Sequence, residues 1–179
     1  MAPPRQQGYS FQSMMPSTLL TPPIAEFAQV LSREGAVAGL RFLNRRVEHR
    51  CTAIYRLEAL TVRNLYIYDR EGALLPELLG VVPLGDSFCQ HALRDGSFLS
   101  DDTRTDPRVE GSPFKGVVVA YHGLPLLDNA CELFGSLCHF DFVPRSLPDE
   151  EFEFLQHAAR VLSSYLMRGV QNPVGGKLS

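Results

Sequence analysis

The hydrophobic residues first recur at the spacing of helices. From Pro23 onward, apolar side chains repeat every three or four positions, as on one buried face of a helix, and these are Ile24, Phe27, Ala28 and Leu31. Pro23 suits a first helical turn, where its missing N–H removes no hydrogen bond. A second apolar series follows Gly35 and predicts another helix, with the members Val37, Leu40, Phe42, Leu43 and Val47. Two helices therefore open the predicted fold.

Four later segments have the composition of strands. Residues 51–58 and 61–69 are rich in β-branched and aromatic side chains, and the two-residue gap between them predicts an antiparallel hairpin. Residues 116–127 and 132–141 form a second such pair around a polar turn. An irregular region with one short helix, 87–96, separates the two pairs. Two hairpins indicate a largely antiparallel sheet.

A last helix is predicted from Pro148 to Arg168, just before a glycine. Its acidic first turn suits the positive end of the helix dipole. Helices at both ends with strands between them predict an α+β fold, formed as one domain over residues 23–168. The Pro-rich segment 1–22 and the tail 169–179 bury too little apolar surface to offset the entropy of ordering, so we expect a disordered arm and a flexible tail.

Four short motifs follow one another in the second half of the chain. They are SFC at 87–89, DDTRTDPR at 101–108, YHGLPL at 121–126 and GSLCHFDFVPRSL at 135–147. In this order they resemble the motifs of bacterial sensory and regulatory GAF domains, over roughly residues 25–168. The resemblance implies a GAF-like central antiparallel sheet of five to six strands. It also implies that the N- and C-terminal helices cover one face and that a ligand cavity lies on the other.

The resemblance further implies which side chains bind a ligand. The expected ligand-binding residues are Phe88, Cys89, His91, Asp102, Tyr121, Cys138 and Phe140. Cys89 lies near the start of the short helix, where the dipole favours a thiolate, although a small buried hydrophobic residue is the simpler interpretation. His91 and His122 are candidates for hydrogen bonding in the pocket, and the alternative for both is a surface imidazole. For Asp102, a structural role in a turn comes first.

Composition and spacing exclude several classes of function. Lys and Arg number 17 against 20 Asp and Glu, a net charge of -3 that gives no reason to expect a nucleic-acid partner. No apolar run has the length of a secretory signal core or a membrane helix, so a cytoplasmic protein with reduced thiols is expected. The Cys and His spacings contain no CxxC or HxxxH pair, so no metal site is predicted. A basic cluster late in the second helix is expected to be a solvated face, and it comprises Arg41, Arg45, Arg46, His49 and Arg50.

The leading hypothesis is a stand-alone sensor in which a small molecule changes conformation or association. Neither the ligand nor a cofactor can be named, and no catalytic residue is assigned. The family implies a homodimer through the helices at 23–33 and 148–168. One alternative is a thiol redox enzyme related to GAF-type free methionine sulfoxide reductases, in which Cys89 reacts and Cys138 or Cys51 resolves. However, the region where those enzymes carry their catalytic cysteine reads FKGVVVAYHG, without Cys. A second alternative is a ligand-free interaction module.

Overall fold

The structure is a computed structural model, and it describes residues 21–171. Residues 1–20 of the predicted arm and 172–179 of the predicted tail lie outside these residues, whereas Pro22, placed in the arm from sequence, is the first residue of a helix. In chain order the helices and strands are α1 (Pro22–Glu34), α2 (Ala36–Asn44), β1 (Cys51–Glu58), β2 (Thr61–Asp69), β3 (Val81–Pro83), α3 (Cys89–Asp95), β4 (Phe98–Ser100), β5 (Ala120–Leu127), β6 (Leu133–Asp141) and α4 (Asp149–Gln171).

All six strands join one antiparallel sheet, in the order β3-β2-β1-β6-β5-β4. Both predicted hairpins form, with Cys51 opposite Asp69 in one and Ala120 opposite Asp141 in the other. The hairpins meet at the centre of the sheet, where β1 pairs with β6 and Ala53 lies opposite Cys138. The predicted α+β class and the antiparallel sheet of five to six strands are confirmed.

Alternation along the central strands gives the sheet two buried faces. One face packs against α1, α2 and α4, and its strand residues include Ile54, Leu124, Leu126 and Leu137. The other face is covered by α3 and by the segments around residues 75–84 and 101–119, and its strand residues include Cys51, Ala53, Tyr55, Tyr121, Cys138 and Phe140. Because both faces are covered, the central strands carry few exposed positions.

Two glycines shape the helix ends as their positions in the sequence suggest. Gly35 has a φ of 90° and lets α2 begin directly after α1. Gly96 has a φ of 85° and donates its N–H to the carbonyl of Ala92, which ends α3. A positive φ at these points favours glycine because it has no Cβ to clash with the backbone.

Two element boundaries differ from the predictions. Strand β5 begins at Ala120 rather than at 116, because Gly116 has a φ of 74° and its amide bonds the Thr103 hydroxyl instead of a neighbouring strand. Helix α4 continues through Gly169 to Gln171, past its predicted end. Within residues 21–171, none of the helices has both the length and the apolar character that crossing a membrane requires.

Candidate functional site

A small cavity lies on the face of the sheet that α3 covers. Its volume is about 40 Å³, which leaves room for only a few water-sized groups. Twelve residues line it, namely Tyr55, Val62, Leu79, Val82, Ser87, Phe88, Cys89, Phe114, Val118, Tyr121, Cys138 and Phe140. Among the residues that the structure describes, no Asp, Glu, Lys, Arg or His contributes to this lining. The cavity is therefore mainly apolar, with hydroxyl and thiol groups as its polar side chains.

Cys89 is the centre of the polar contacts in the cavity. Its side chain is buried as the first residue of α3, and its backbone N–H donates to the Ser87 hydroxyl over 2.9 Å. Its Sγ accepts a hydrogen bond from the Tyr121 hydroxyl at 3.3 Å and another from the Ser136 hydroxyl at 3.2 Å. Side chains from strands β5 and β6 therefore meet at the sulfur atom of a residue in α3.

Gly123 determines where the Tyr121 ring lies. A Cβ at Gly123 would come within 2.6 Å of the Tyr121 ring and hydroxyl, so the ring lies directly over this glycine. The ring also packs against Phe88 and Phe98, with centroid separations of 5.6 Å and 6.0 Å. The Tyr-x-Gly spacing in β5 thus aims the phenol at Cys89 and holds it there.

Burial keeps several of these polar groups uncharged. It raises the pKa of the Tyr121 phenol and of the Cys138 thiol well above their ordinary values, and it raises the pKa of Cys51 to about 12. Burial likewise raises the pKa of Tyr55, whose hydroxyl donates to the carbonyl of Leu79 over 2.9 Å. These groups are neutral near pH 7 because burial disfavours the anion.

Thr103 holds one wall of the cavity in place. Its hydroxyl donates to the carbonyl of Val118 over 2.7 Å and accepts the N–H of Gly116 at 3.1 Å. Nearby, Asp106 accepts both the backbone N–H and the guanidinium of Arg108, and this guanidinium lowers the pKa of the Asp106 carboxyl. The DDTRTDPR motif therefore organises the loop that carries Val118.

Five of the seven predicted ligand-binding residues line the cavity, and these are Phe88, Cys89, Tyr121, Cys138 and Phe140. The structure places the other two elsewhere. His91 lies on the outer side of α3, where its ring stacks on Phe98 with a centroid separation of 4.7 Å. Asp102 accepts the backbone N–H and the guanidinium of Arg104 in a turn, as its structural interpretation predicted. Ligand contact stays a prediction for the five that line the cavity.

His122 is not in the cavity either. It alternates with Tyr121 along β5, so it points to the opposite face of the sheet, where it is 1% exposed. His49, assigned from sequence to a solvated basic face, is also fully buried on that side, because α2 ends at Asn44 and the chain turns inward before β1. Both surface interpretations of these histidines are therefore wrong.

Several residues of the site were not predicted. Tyr55 shares the cavity face of β1 with Cys51 and Ala53, and Ser136 shares that of β6 with Cys138. Period-two alternation along each of these strands marks both residues. Leu79 and Phe114 come from irregular segments, which offer no periodic signal. Side chains from such segments can be assigned to a cavity only once the chain path is known.

Comparisons with known proteins identify the architecture. No protein-family profile matches the chain, and no curated protein matches it in sequence. Among solved structures, it is similar to the GAF domain of an Acinetobacter phosphoenolpyruvate-protein phosphotransferase, with a TM-score of 0.67 and 12% identity over 83% of this chain and 93% of that one. It is also similar to the free methionine-R-sulfoxide reductase of Neisseria meningitidis, with a TM-score of 0.64 and 15% identity over 82% and 87% of the two chains.

A third similar structure is the chromophore-binding domain of a bacteriophytochrome from R. palustris. Its TM-score is 0.66 at 12% identity, over 84% of this chain and 61% of that one. These likenesses join proteins with different activities, so they identify the architecture alone. Similarity at TM-scores of 0.64–0.67 over more than four fifths of this chain makes it a GAF-fold domain.

Proposed function

We propose that this GAF-fold domain is a sensor whose cavity binds a small, uncharged and largely apolar molecule. The observation that carries the proposal is the lining of the cavity, in which no described side chain is acidic, basic or an imidazole. A phosphate or an amino-acid zwitterion would lose its hydration there without gaining a counterion, which is strongly unfavourable. A neutral molecule would lose little, and the Cys89, Tyr121 and Ser136 groups could orient it.

Binding would act on the segments that cover the sheet. On one side, the cavity wall is formed by paired strands, and on the other by Leu79, Phe114 and Val118 from irregular segments. A molecule larger than the present volume would displace these segments before it displaced the strands. The ligand would thereby favour one conformation of the covering segments by its differential affinity.

The test uses matched pairs of small probes that differ in charge, such as toluene with benzoate, in a thermal-unfolding assay. A neutral probe at 100 times its Kd would stabilise the fold by about 2.7 kcal/mol, which corresponds to roughly 5–10 °C for a domain of this size. The charged member of each pair should leave the melting temperature unchanged.

Val118→Phe supplies the specificity control, because it fills the cavity from the loop side. It should abolish the neutral-probe shift, whereas Val143→Phe, at an exposed position outside the lining, should keep it. Equal stabilisation by both members of a pair would contradict the proposal. Absence of any shift across neutral probes would favour the ligand-free interaction module instead.

A thiol redox enzyme is the second candidate, and the contacts of Cys89 favour it. Two hydroxyl groups donate to its Sγ inside the cavity, and one of the similar folds is a sulfoxide reductase. In such a reaction the thiolate attacks the sulfoxide sulfur, oxygen leaves as water, and a second thiol closes a disulfide as the sulfide is released. Because the lining offers no counterion to a zwitterion, the test uses an uncharged sulfoxide such as methyl p-tolyl sulfoxide. Loss of thiols on incubation with it, in wild type but not in Cys89→Ser, would establish the redox enzyme over the sensor.

The proposal includes a homodimer formed through the outer faces of α1 and α4. These two helices lie side by side on one face of the sheet, and α4 alternates buried residues such as Leu155 and Leu162 with exposed ones such as Arg160. Association through this layer would leave the cavity free on the opposite face. Light scattering at high micromolar concentration should give twice the monomer mass, and a monomer would contradict this part.

A further inference from the structure

Three histidines are buried together on the face of the sheet opposite the cavity. His122 lies on β5, His139 on β6, and His49 in the connection between α2 and β1 that spans residues 45–50. Each is at most 2% exposed. The rings of His49 and His122 meet edge to face at 4.8 Å between centroids, and those of His49 and His139 lie 5.5 Å apart.

Hydrogen bonds fix the direction of a chain that runs from the surface to His49. The exposed Asp101 carboxylate lies 2.8 Å from His122 Nε2, so in neutral His122 that nitrogen carries the proton. His122 Nδ1 is then an acceptor, and it lies 2.8 Å from His49 Nε2, which must donate. His49 Nδ1 is consequently a bare acceptor, and within residues 21–171 it is buried without a hydrogen-bond partner.

A second set of bonds fixes His139. Arg70 donates to the Asn44 side-chain oxygen at 3.2 Å, which orients that amide. The amide nitrogen of Asn44 then donates to Thr52 Oγ1 at 3.0 Å. Within residues 21–171 the Thr52 hydroxyl proton has one available acceptor, His139 Nδ1 at 2.7 Å. The hydroxyl therefore donates there, and neutral His139 carries its proton on Nε2. The acceptor nitrogens of His122 and His139 are therefore occupied, in contrast to His49 Nδ1.

Charged groups around the cluster do not supply a partner for an added proton on His49. Asp141 is a buried carboxylate, but its Oδ2 already accepts the Arg50 amide at 3.0 Å and the Arg145 guanidinium at 2.8 Å, and its Oδ1 accepts the Phe142 amide. Burial lowers the pKa of His49 to about 3, with the His122 ring adding to the effect and Arg145 contributing less. Asp141 and Asp101 oppose this shift without cancelling it.

We propose that the His49–His122–Asp101 chain is a proton-responsive latch, which holds the 45–50 connection on the sheet while its histidines are neutral and releases it when they take up protons. The connection also has anchors that do not titrate near neutrality, since Arg46 forms a two-bond contact with Glu151 of α4 at 2.8 Å and 2.9 Å. Asn44, which donates to the His49 carbonyl at 2.9 Å, and Asp69, which accepts two bonds from the Arg50 guanidinium at 2.9 Å, oppose release of the His49 end. The latch would therefore open this end only locally and against these bonds, while Arg46 keeps the connection attached to the helix layer.

The hydrogen-bond chain cannot accept a proton without leaving a buried N–H that has no acceptor. A solvent proton added at His49 Nδ1 creates an N–H with no acceptor inside the protein. A proton added at His122 Nδ1 removes the acceptor that His49 Nε2 uses, and the His49 proton must then move to Nδ1, with the same result. A charged, unsatisfied imidazole is strongly disfavoured in a buried site, so the closed state stays neutral and acid favours the open state.

Amide hydrogen exchange between about pH 7.5 and pH 5.5 tests the latch, after correction for the intrinsic pH dependence of exchange. Below a pH of about 6.5, the opening constant of residues 46–50 should rise about tenfold per pH unit for each histidine that is protonated only when open. His49→Gln keeps a side-chain N–H donor but cannot titrate, so its slope should be smaller by about tenfold per pH unit. His157→Gln, at an exposed histidine on α4, should keep the wild-type slope.

Two results would overturn the proposal. One is protection of residues 46–50 that is independent of pH, or that changes equally in wild type and His49→Gln. The other is a long-range ¹H–¹⁵N spectrum at about pH 8 in which His49 carries its proton on Nδ1, because the chain direction would then be reversed. The spectrum uses the wild-type protein, so it decides the matter even where His49→Gln fails to fold.

Discussion

Gly135 lies at the point where β6 approaches β1 most closely. A Cβ at this position would be 1.9 Å from the carbonyl oxygen of Tyr55, which is backbone and cannot turn aside. A glycine inside a strand permits a close backbone approach or a bulge. The structure contains both, because the register between β5 and β6 shifts just beyond this residue.

Gly135→Ala should therefore destabilise the fold severely, by about 3 kcal/mol or more, since the central strands must separate to admit one methyl group. Gly169→Ala is the matched control. Nothing lies within 4 Å of its added Cβ, and the residue is exposed in α4, so this change should stabilise the fold by about 0.5–1 kcal/mol. Urea unfolding measures both, and a mild effect at Gly135 would contradict the close packing of these strands.

At the residue scale, a position in the cavity lining could be predicted where strand alternation and motif order act together. Tyr121, Cys138 and Phe140 are on strands whose cavity face follows from their neighbours. His91 and Asp102 lie away from the cavity lining, because a short helix and a turn can rotate a side chain without changing the sequence pattern. His122 is neither in the cavity nor at the surface, because it is buried on the helix-covered face among leucine side chains.

At the scale of elements, the loop from Asp101 to Val119 links several parts of the fold. It starts at the carboxylate that bonds His122 and ends at the residues that form the cavity wall. It contains no long helix or strand, so its shape depends on local hydrogen bonds, and Thr103 makes three of them, two through its hydroxyl and one through its backbone N–H to Val119. The loop therefore has no periodic sequence pattern from which its path could be predicted, although it forms one wall of the cavity.

Thr103→Val tests this dependence. The change keeps the shape of the side chain but leaves the carbonyl of Val118 and the N–H of Gly116 without their partner, which should lower the free energy of unfolding by about 1–3 kcal/mol. Thr105→Val alters an exposed hydroxyl in the same loop, and its effect should stay within about 0.5 kcal/mol. Equal effects of the two changes would show that the hydroxyl does not hold the wall.

The register shift in β6 marks another limit of element-level prediction. Strict alternation from Cys138 places Phe134 on the cavity face, yet Phe134 packs with the helix layer. The shift between Leu126 and Leu127 inserts one extra residue into β6 and reverses the side on which Phe134 lies. Periodicity identifies a strand, but a bulge inside it becomes visible only through its pairing.

At the scale of the whole molecule, stability should fall in mild acid because three buried histidines are neutral in the fold. Burial lowers the pKa of His49 to about 3 and also lowers those of His122 and His139. The unfolded chain binds protons at these sites below a pH of about 6.5, whereas the fold does not, so stability present above that pH is lost as the pH falls.

Urea unfolding at about pH 7.5 and about pH 5 should differ by about 2 kcal/mol for each histidine that stays neutral in the fold. Carboxylates with lowered pKa values, such as Asp69 and Asp106, contribute their own loss only below a pH of about 4, outside this window. Unfolding free energies that agree at the two pH values would show that the histidines take up protons without leaving the fold.

Most of the global architecture followed from the sequence. Helical and strand periods, two short turns and the order of four motifs were enough for the class, the antiparallel sheet and the side that the helices cover. The polar cluster on the helix-covered face was not predicted. Its strand residues are Thr52, His122 and His139, and each lies two positions from a buried leucine or isoleucine on the same face of its strand. Long-range pairing brings them together, and no local pattern encodes that proximity.

The uncharged lining of the cavity has a practical consequence for the search for its occupant. Attraction between a charged ligand and a charged pocket weakens as ions are added, whereas transfer of a neutral molecule into an apolar site does not depend on such screening. Binding in this cavity should therefore persist at high ionic strength, while adventitious adsorption of anions to the many surface arginines is suppressed. A ligand search carried out in concentrated salt would therefore distinguish binding in the cavity from anion adsorption at the surface.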